Sequence, residues 1–297
     1  MSDLAVFGLE SLFARGLLQR DEVDGLVVAT MSPDHFMPPT SNIIQGRLGL
    51  RQEMVCVDLN LACSGFVMGL IQSFMLLEQQ SIRKVVLVNG DVLSRKTSPQ
   101  DRNIYPLVGD AASITILERD PEKCVIHANM KTDGSRSEAL MIPAGGFRLP
   151  CSAETAVLED VGDHNLRAKD HLRMDGTAIF NFVQMEVPPL IEDLLAHAGV
   201  SKDSIDYFLF HQPNRFMLQK LADKMKVPYH KMPSNVVEHF GNSGGATIPT
   251  AIAFNLSAQV KSGASLACLA GFGGGLSWAS MLLRLGPLSF CEMIDFA

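Results

Sequence analysis

The sequence lacks the features that mark nucleic-acid-binding proteins. Its 25 Lys and Arg residues are outnumbered by 32 Asp and Glu residues, and the net charge is −7. Phosphate binding needs clustered positive charge, which an acidic chain of this kind does not offer. Aromatic residues make up only 7% of the chain, too few for the stacking surfaces that bind single strands. We therefore expect no nucleic-acid partner.

Targeting signals and membrane spans are also missing. The N-terminus has no basic segment leading into an apolar core, so no secretory signal is predicted. Two uncharged runs, residues 59–77 and 262–283, are long enough to be considered as spans, but polar residues interrupt the first and glycines the second. We interpret both runs as buried cores and expect a cytoplasmic protein with no membrane contact.

Paired cysteines and metal-ligand patterns are absent as well. The six cysteines form no C-x-x-C pair, and the histidines have no ligand spacing typical of a zinc site. Without a secretory signal, free thiols in a reducing compartment are expected. We expect neither a metal ion nor a cofactor.

The chain does contain the pattern of an α/β protein. Short, continuously apolar runs indicate strands buried on both faces. These runs lie at residues 26–29, 55–57, 85–88, 113–117, 207–210 and 266–270. Amphipathic segments at 66–77, 179–195 and 216–225 predict helices. The alternation predicts an α/β fold with largely parallel sheets.

An internal repeat indicates two related halves. The segment that ends at Asp24, before the strand at 26–29, is matched without gaps by the segment that ends at Asp206, before the strand at 207–210. We place the halves at residues 1–165 and 166–297.

A long connection is predicted between these halves. Residues 144–172 show little periodicity, and a pattern-poor segment of this length is uncommon unless it has a function.

Cys63 is the strongest candidate for a catalytic nucleophile. A predicted strand runs into Cys63 and a helix follows, so the thiol is expected at the positive end of the helix dipole. That position lowers a thiol pKa and favours the nucleophilic thiolate. The alternative is a buried structural cysteine, which is the usual state of a free thiol.

Two polar residues in the second half are further candidates. His211 lies where a buried strand ends, the edge at which parallel α/β folds place ligands. Asn242 lies among small residues and is neutral at every pH, so it could hold a carbonyl oxygen. The alternatives are an ordinary buried histidine and a turn asparagine.

The run 271–275 contains four glycines and follows a buried strand. It does not match G-x-G-x-x-G and no helix is predicted to open at it, so dinucleotide binding is disfavoured. Exposed backbone N–H groups in such a loop could stabilise an oxyanion.

Together these segments resemble the β-ketoacyl-acyl carrier protein synthase III family. The resemblance rests on the segments 62–66, 211–214, 241–243 and 271–275, which occur in the family's order over nearly the whole chain. It implies a thiolase-like, layered αβαβα fold of two similar halves. It also implies a homodimer acting in fatty acid biosynthesis.

The implied chemistry is a ping-pong acyl transfer. Cys63 would take the acyl group of an acyl-CoA as a thioester, and malonyl-acyl carrier protein would then lose CO₂. His211 and Asn242 would stabilise the resulting enolate, while the N–H groups of Cys63 and Gly274 would form the oxyanion hole. The CoA thioester is the substrate, and no cofactor is implied.

The resemblance also assigns binding residues. Phe272 would pack beside the cysteine, Arg102 would contact the CoA adenine, and Met37 would match a residue lent to the partner subunit's acyl pocket. The basic residues Arg215, Lys220 and Lys224 would dock the acidic carrier protein.

One departure from the family pattern leaves alternatives open. About the first fifty residues of the pattern are expected to be missing, which would expose the edge of the first sheet and remove a Trp that stacks on adenine. This departure leaves open an inactive partner subunit. The long segment 144–172 leaves open a second alternative, acyl transfer to an amine or hydroxyl without loss of CO₂.

Overall fold

A computed structural model describes residues 1–120 and 124–296. Its α-helices are α1 (Ser2–Ala14), α2 (Thr40–Arg47), α3 (Gly65–Leu77), α4 (Gly176–Ala198), α5 (Arg215–Met225), α6 (Val236–Phe240) and α7 (Thr247–Ser262). The longer strands are β1 (Gly25–Ala29), β2 (Val55–Leu59), β3 (Lys84–Val92), β4 (Asp110–Glu118) and β5 (His127–Thr132). Four two-residue strands follow, namely β6 (Leu140–Met141), β7 (Glu159–Asp160), β8 (Leu166–Arg167) and β9 (Arg173–Met174). The last strands are β10 (Tyr207–Phe210), β11 (Ser265–Gly273) and β12 (Ser277–Leu285). Every predicted strand and helix is therefore confirmed in position.

Two four-stranded sheets form the framework. The first has the order β2-β1-β3-β4 and the second the order β10-β11-β12-β5. The pairs β1–β2, β1–β3 and β10–β11 are parallel, whereas β3–β4, β11–β12 and β12–β5 are antiparallel. The prediction of largely parallel sheets is thus only partly right. Apolar runs indicate burial on both faces but carry no information on direction, and a tight turn after Gly273 folds β12 back on β11.

Five layers stack in the order helices, sheet, helices, sheet, helices. The apolar faces of α3 and α7 share one core cluster with residues of both sheets, so these two helices lie between the sheets. A second cluster joins α1 and α2 to the outer face of the first sheet, and a third joins α4 and α5 to the outer face of the second. This is the αβαβα arrangement that the resemblance implied.

The internal repeat is visible in the hydrogen bonds. Asp24 donates its backbone N–H to the Lys84 carbonyl, and its carboxylate accepts from the Lys84 N–H at the start of β3. Asp206 makes the same pair of bonds with Leu266 at the start of β11. In each half the aspartate therefore ties the start of the strand that follows it to the neighbouring strand of the sheet. The boundary between the two sheets lies between β4 and β5 rather than at residue 165, because β5 already belongs to the second sheet.

The segment predicted as a long connection is folded onto the first half. It contains the β7–β8 hairpin. Leu166 donates its N–H to the Gln100 carbonyl, and Asn165 accepts a bond from the Arg102 N–H. None of the helices in the described ranges is long and apolar enough to cross a membrane.

Candidate active site

Cys63 lies in the turn between β2 and α3, one residue before the N-cap of that helix. Its side chain is buried. The end of β11 packs directly on it, because a Cβ atom at Gly273 would lie 2.8 Å from the Cys63 sulfur. The first half therefore supplies the thiol, and the second half supplies the backbone that packs against it.

The electrostatics at Cys63 differ from the sequence-based expectation. Burial and the carboxylate of Asp91 raise the pKa of the Cys63 thiol to about 12. The direction is opposite to the lowered pKa predicted from the helix terminus, because removal from water disfavours the thiolate. Cys63 is a thiol at rest, and its proton has to leave as the sulfur attacks.

Two backbone donors nevertheless face the sulfur. The N–H groups of Cys63 and Gly274 hydrogen-bond the Cys63 sulfur and favour its anionic form. These are the two groups expected to form the oxyanion hole. Gly274 reaches this place because β11 ends beside Cys63, while its own N–H is free of the sheet ladder.

His211 directly follows β10, and its N–H continues the ladder to Ala270 in β11. The ring is buried, lies edge-on to Phe272 at 5.6 Å between centroids, and has Nδ1 2.7 Å from the Thr247 hydroxyl. Burial lowers the pKa of His211 to about 3. The imidazole is therefore neutral at any working pH.

Asn242 is held between the halves by its backbone. Its N–H donates to the Leu107 carbonyl at 2.6 Å, and its carbonyl accepts from Gly109 at 3.1 Å. The side-chain oxygen accepts from the Gly244 N–H at 3.0 Å. Because this bond fixes the amide oxygen, the Nδ2 group is left as the donor that a substrate oxygen could use.

The loop after Asn242 is the part of the second half that meets the nucleophile turn. A Cβ atom at Gly245 would lie 3.0 Å from the Ala62 carbonyl oxygen and 2.5 Å from Asn89 Oδ1. Only glycine fits at this contact. The closeness of the two loops brings the predicted cysteine, histidine and asparagine to one centre, although they come from distant parts of the chain.

Asp91 is a charged residue of this centre that sequence reasoning missed. Its Oδ1 accepts from the Met31 N–H at 2.8 Å and from the Thr30 hydroxyl at 3.0 Å, while Oδ2 has no partner among the described residues. Burial raises the pKa of Asp91 to about 7. The signal in the sequence is an Asp inside the apolar run of β3, where polar residues are costly unless they have a role.

The other predicted binding residues occupy different surroundings. Phe272 is buried against His211, and its neighbours in β11 contact Cys63. Met37 is 84% exposed on the loop after β1, beside the exposed Phe36. Arg102 is exposed at the segment on which the β7–β8 hairpin docks.

The predicted carrier-docking residues on α5 have partners on the protein itself. Arg215 forms an ion pair with Glu238, Lys220 lies 3.8 Å from Asp223, and Lys224 donates to the Gln184 carbonyl at 2.6 Å. Their charges remain at the surface, where they would still attract an acidic partner over several ångströms.

Comparison with known proteins agrees with this site. Residues 57–134 match the family 3-oxoacyl-[acyl-carrier-protein (ACP)] synthase III, and residues 195–285 match its C-terminal domain. The chain is 34% identical over 286 residues to the β-ketoacyl-[acyl-carrier-protein] synthase III of Streptococcus pyogenes serotype M5, covering 96% of this chain and 84% of the relative. The corresponding protein of Streptococcus equi subsp. zooepidemicus is 32% identical with the same coverage.

Solved structures point the same way. The 3-oxoacyl-(acyl-carrier protein) synthase of Burkholderia xenovorans LB400 superimposes with a TM-score of 0.90 at 34% identity, covering 99% of this chain and 82% of that one. The synthase III of Pseudomonas aeruginosa PAO1 gives a TM-score of 0.79 at 28% identity, covering 96% and 83%. Fold and sequence thus agree, and the chain belongs to the 3-oxoacyl-[acyl-carrier-protein] synthase III family of condensing acyltransferases.

Proposed function

We propose that this chain condenses an acyl-CoA with malonyl-acyl carrier protein, with loss of CO₂, through an acyl thioester on Cys63. The observation that carries the proposal is the meeting of a buried thiol and two backbone N–H groups with a neutral imidazole and a free amide donor. This set of groups suits acyl transfer followed by enolate formation. The CoA thioester supplies the activated acyl group, and no cofactor enters the reaction.

In the first half-reaction the Cys63 sulfur attacks the thioester carbonyl of the acyl-CoA. The carbonyl oxygen becomes negative in the tetrahedral intermediate, where the N–H groups of Cys63 and Gly274 stabilise it. The bond to the CoA sulfur then breaks, and CoA leaves with the proton that Cys63 gave up. Because the thiol pKa is about 12, this proton moves during the attack rather than before it.

In the second half-reaction the malonyl thioester loses CO₂. The electrons of the broken C–C bond form an enolate, whose oxygen accepts hydrogen bonds from Asn242 Nδ2 and His211. The enolate carbon attacks the acyl group on Cys63, the bond from the acyl carbon to the Cys63 sulfur breaks, and the leaving thiolate takes up a proton from water. Neutral donors suit this step, since their charge does not change with pH.

We further propose a homodimer and a docking site for the acidic carrier protein. Phe36, Met37 and Phe147 are 72%, 84% and 90% exposed, and the rings of Phe36 and Phe147 lie 5.5 Å apart. Such an exposed apolar group is typical of a protein interface, and a second copy is the occupant we propose. Arg215, Lys220 and Lys224 on α5 would face the carrier protein.

The test is a two-stage product assay with the full chain. The protein is first incubated with an acyl-CoA, freed of unbound CoA, and then supplied with malonyl-acyl carrier protein. We expect release of CO₂ and a 3-oxoacyl-carrier product from the wild type and none from Cys63→Ala. Transfer of the acyl group to an amine or hydroxyl acceptor without CO₂ would contradict the condensation, and no acyl transfer at all would indicate an inactive subunit.

A further inference from the structure

The hydroxyl of Thr247, at the first position of α7, lies at the centre of a buried hydrogen-bond network. It is 2.7 Å from His211 Nδ1, accepts from the Gln212 N–H at 3.1 Å and reaches the Gly244 carbonyl oxygen at 2.9 Å. The side chain is fully buried. A residue at the start of a helix does not need these three contacts. The hydroxyl of Thr247 therefore has a role beyond forming the helix.

The network has only one arrangement in which every contact is a hydrogen bond. A hydroxyl has one hydrogen to donate and two lone pairs that accept. The Gly244 carbonyl can only accept and the Gln212 N–H can only donate, so the single hydrogen of Thr247 goes to Gly244. The remaining lone pair faces His211 Nδ1 and requires a hydrogen there, and the Gly244 carbonyl, which also hydrogen-bonds the His211 ring, can only accept.

We propose that Thr247 is a positioning residue that holds neutral His211 in the tautomer with its hydrogen on Nδ1. Since burial keeps the imidazole uncharged, a hydrogen on Nδ1 leaves Nε2 with a free lone pair. Within residues 1–120 and 124–296, Thr247 is the side-chain partner of the ring, and it bonds Nδ1 rather than Nε2. His211 at rest is therefore a proton acceptor towards the site.

This inference rests on the proposed function and deepens it. The resting Cys63 holds its proton and needs an acceptor when the sulfur attacks. In the balanced step the sulfur–carbon bond forms and the S–H bond breaks, with its proton moving to Nε2. The ring is then an imidazolium only for as long as the carbonyl oxygen carries its negative charge. The bond to the CoA sulfur then breaks, and that sulfur takes the proton from Nε2, so His211 returns to its starting tautomer.

The same hydroxyl also allows the opposite state. If its hydrogen turns from Gly244 to His211 Nδ1, the ring carries its own hydrogen on Nε2 and can donate to the enolate of the second half-reaction. Thr247 thus accommodates both roles of one neutral ring, with the donor state losing one hydrogen bond to the Gly244 carbonyl.

The test uses the free, full-length protein labelled with ¹⁵N-histidine. Long-range ¹H–¹⁵N correlation spectra distinguish the two tautomers, and the His211 signals are identified by their loss in His211→Ala. We expect wild type and Thr247→Ser, which keeps the hydroxyl, to carry the hydrogen on Nδ1. We expect Thr247→Val, which is of equal size but lacks the hydroxyl, to weaken this preference, because only the Gly244 carbonyl then accepts from the ring.

Acylation rates supply the second readout. Thr247→Val should acylate Cys63 about tenfold more slowly or worse, within the range of general-base effects, whereas Thr247→Ser should stay close to wild type. A wild-type spectrum with the hydrogen on Nε2 would overturn the proposal, and so would equal behaviour of the serine and valine variants. If Thr247→Val does not fold, the wild-type and serine spectra still decide.

Failure of the proposed function would look different. A wild type that gains no acyl mass from any acyl-CoA would contradict the acyl-enzyme, while the spectrum of the free protein would still report the His211 tautomer. A wild type that is acylated but carries its hydrogen on Nε2 would contradict only the role of Thr247.

Discussion

The two halves of the molecule use the same junction for different chemistry. Residues 60–65 lead into α3 in the first half, and residues 242–247 lead into α7 in the second, 182 positions later in both cases. At matching positions the first junction has Cys63 and the second has Gly245. The first presents a nucleophile, while the second presents the amide of Asn242 and the hydroxyl of Thr247.

This division explains why the site needs both halves. Attack by the cysteine needs a sulfur atom with backbone N–H groups nearby to stabilise the oxyanion. Enolate stabilisation needs neutral side-chain donors, which the other half provides. The glycine at position 245 lets the second junction approach the first within contact distance. The two halves thus share one backbone arrangement at this turn and differ in function because a few of its side chains differ.

The halves also differ at the outer edges of their sheets. In the second sheet β5 pairs with the outer edge of β12 over six residue pairs. In the first sheet β4 pairs only with β3 among the described strands, and its residues line a cavity of about 1970 Å³ bounded by α1 and residues 284–296. An unpaired edge of this kind is open to other strands.

The largest effect is expected from removing the Asn242 amide, which should impair the second half-reaction and leave the first intact. Asn242→Ala should lower condensation by about a thousandfold, because one preorganised donor to the enolate is lost. Acylation of Cys63 should persist, since its oxyanion donors come from Cys63 and Gly274. Parallel mass and CO₂ measurements check this, and loss of acylation in the variant would contradict the division of labour.

Adding a methyl group where the two halves are in contact should lower the stability of the protein. Gly244 has a φ of +62°, and a Cβ atom there would collide with Asp91 Oδ2. Gly244→Ala should therefore lose about 3 kcal/mol or more in urea unfolding, from strain and overlap together. Gly46→Ala in α2, where a Cβ meets open space, is the matched control and should gain about 0.5–1 kcal/mol. Equal effects of the two substitutions would contradict the tight contact.

Asp91 should make stability depend on pH. Its pKa is raised from 3.8 to about 7, so the native state binds more protons than the unfolded chain between these values. Stability is then lost as the pH rises through this window, by up to about 4 kcal/mol. Asp91→Asn lacks this loss, so its stability relative to wild type should grow from pH 4 to pH 8.

The same substitution should act on the nucleophile. With the carboxylate gone, the pKa of Cys63 should fall, and alkylation of its thiol at pH 8 should become faster. Parallel stability curves for Asp91→Asn and wild type, together with unchanged alkylation, would show that Asp91 carries no charge beside Cys63.

The smallest expected effect concerns the sheet edges. Amides of β12 that point away from β11 bond to β5, whereas the equivalent amides of β4 have no strand partner within the described ranges. Hydrogen exchange measured by mass spectrometry should therefore be at least about tenfold faster at alternate residues of β4. Similar protection of β4 and β12 would mean that another segment or copy pairs with β4.

Much of the fold was predictable because burial leaves a direct mark on the sequence. Continuous apolar runs located six of the eight strands of the two sheets but not β5 and β12. The repeated segments ending at Asp24 and Asp206 indicated the two halves. Strand direction was not predictable from the same runs, since hydrophobicity does not record it. The antiparallel pairing of β4 with β3, and of β12 with β11, therefore appears only in the structure.

The site was predictable in its residue types but not in its protonation. Cys63, His211 and Asn242 stand at junctions that a sequence can indicate. The pKa values of Cys63 and His211 depend on burial, which reverses the direction expected for Cys63 from its helix terminus. Thr247 was missed because its importance comes from three partners that only the folded chain brings together.

The central claim is that the first half supplies the nucleophile for an acyl group that the second half then elongates. Its most direct test is the intact mass of wild type and Cys63→Ala after incubation with a panel of acyl-CoAs. We predict a mass gain of one acyl group in the wild type, mapped to Cys63 by peptide analysis, and none in the variant. An acyl adduct that survives in Cys63→Ala, or that maps to another residue in the wild type, would contradict it.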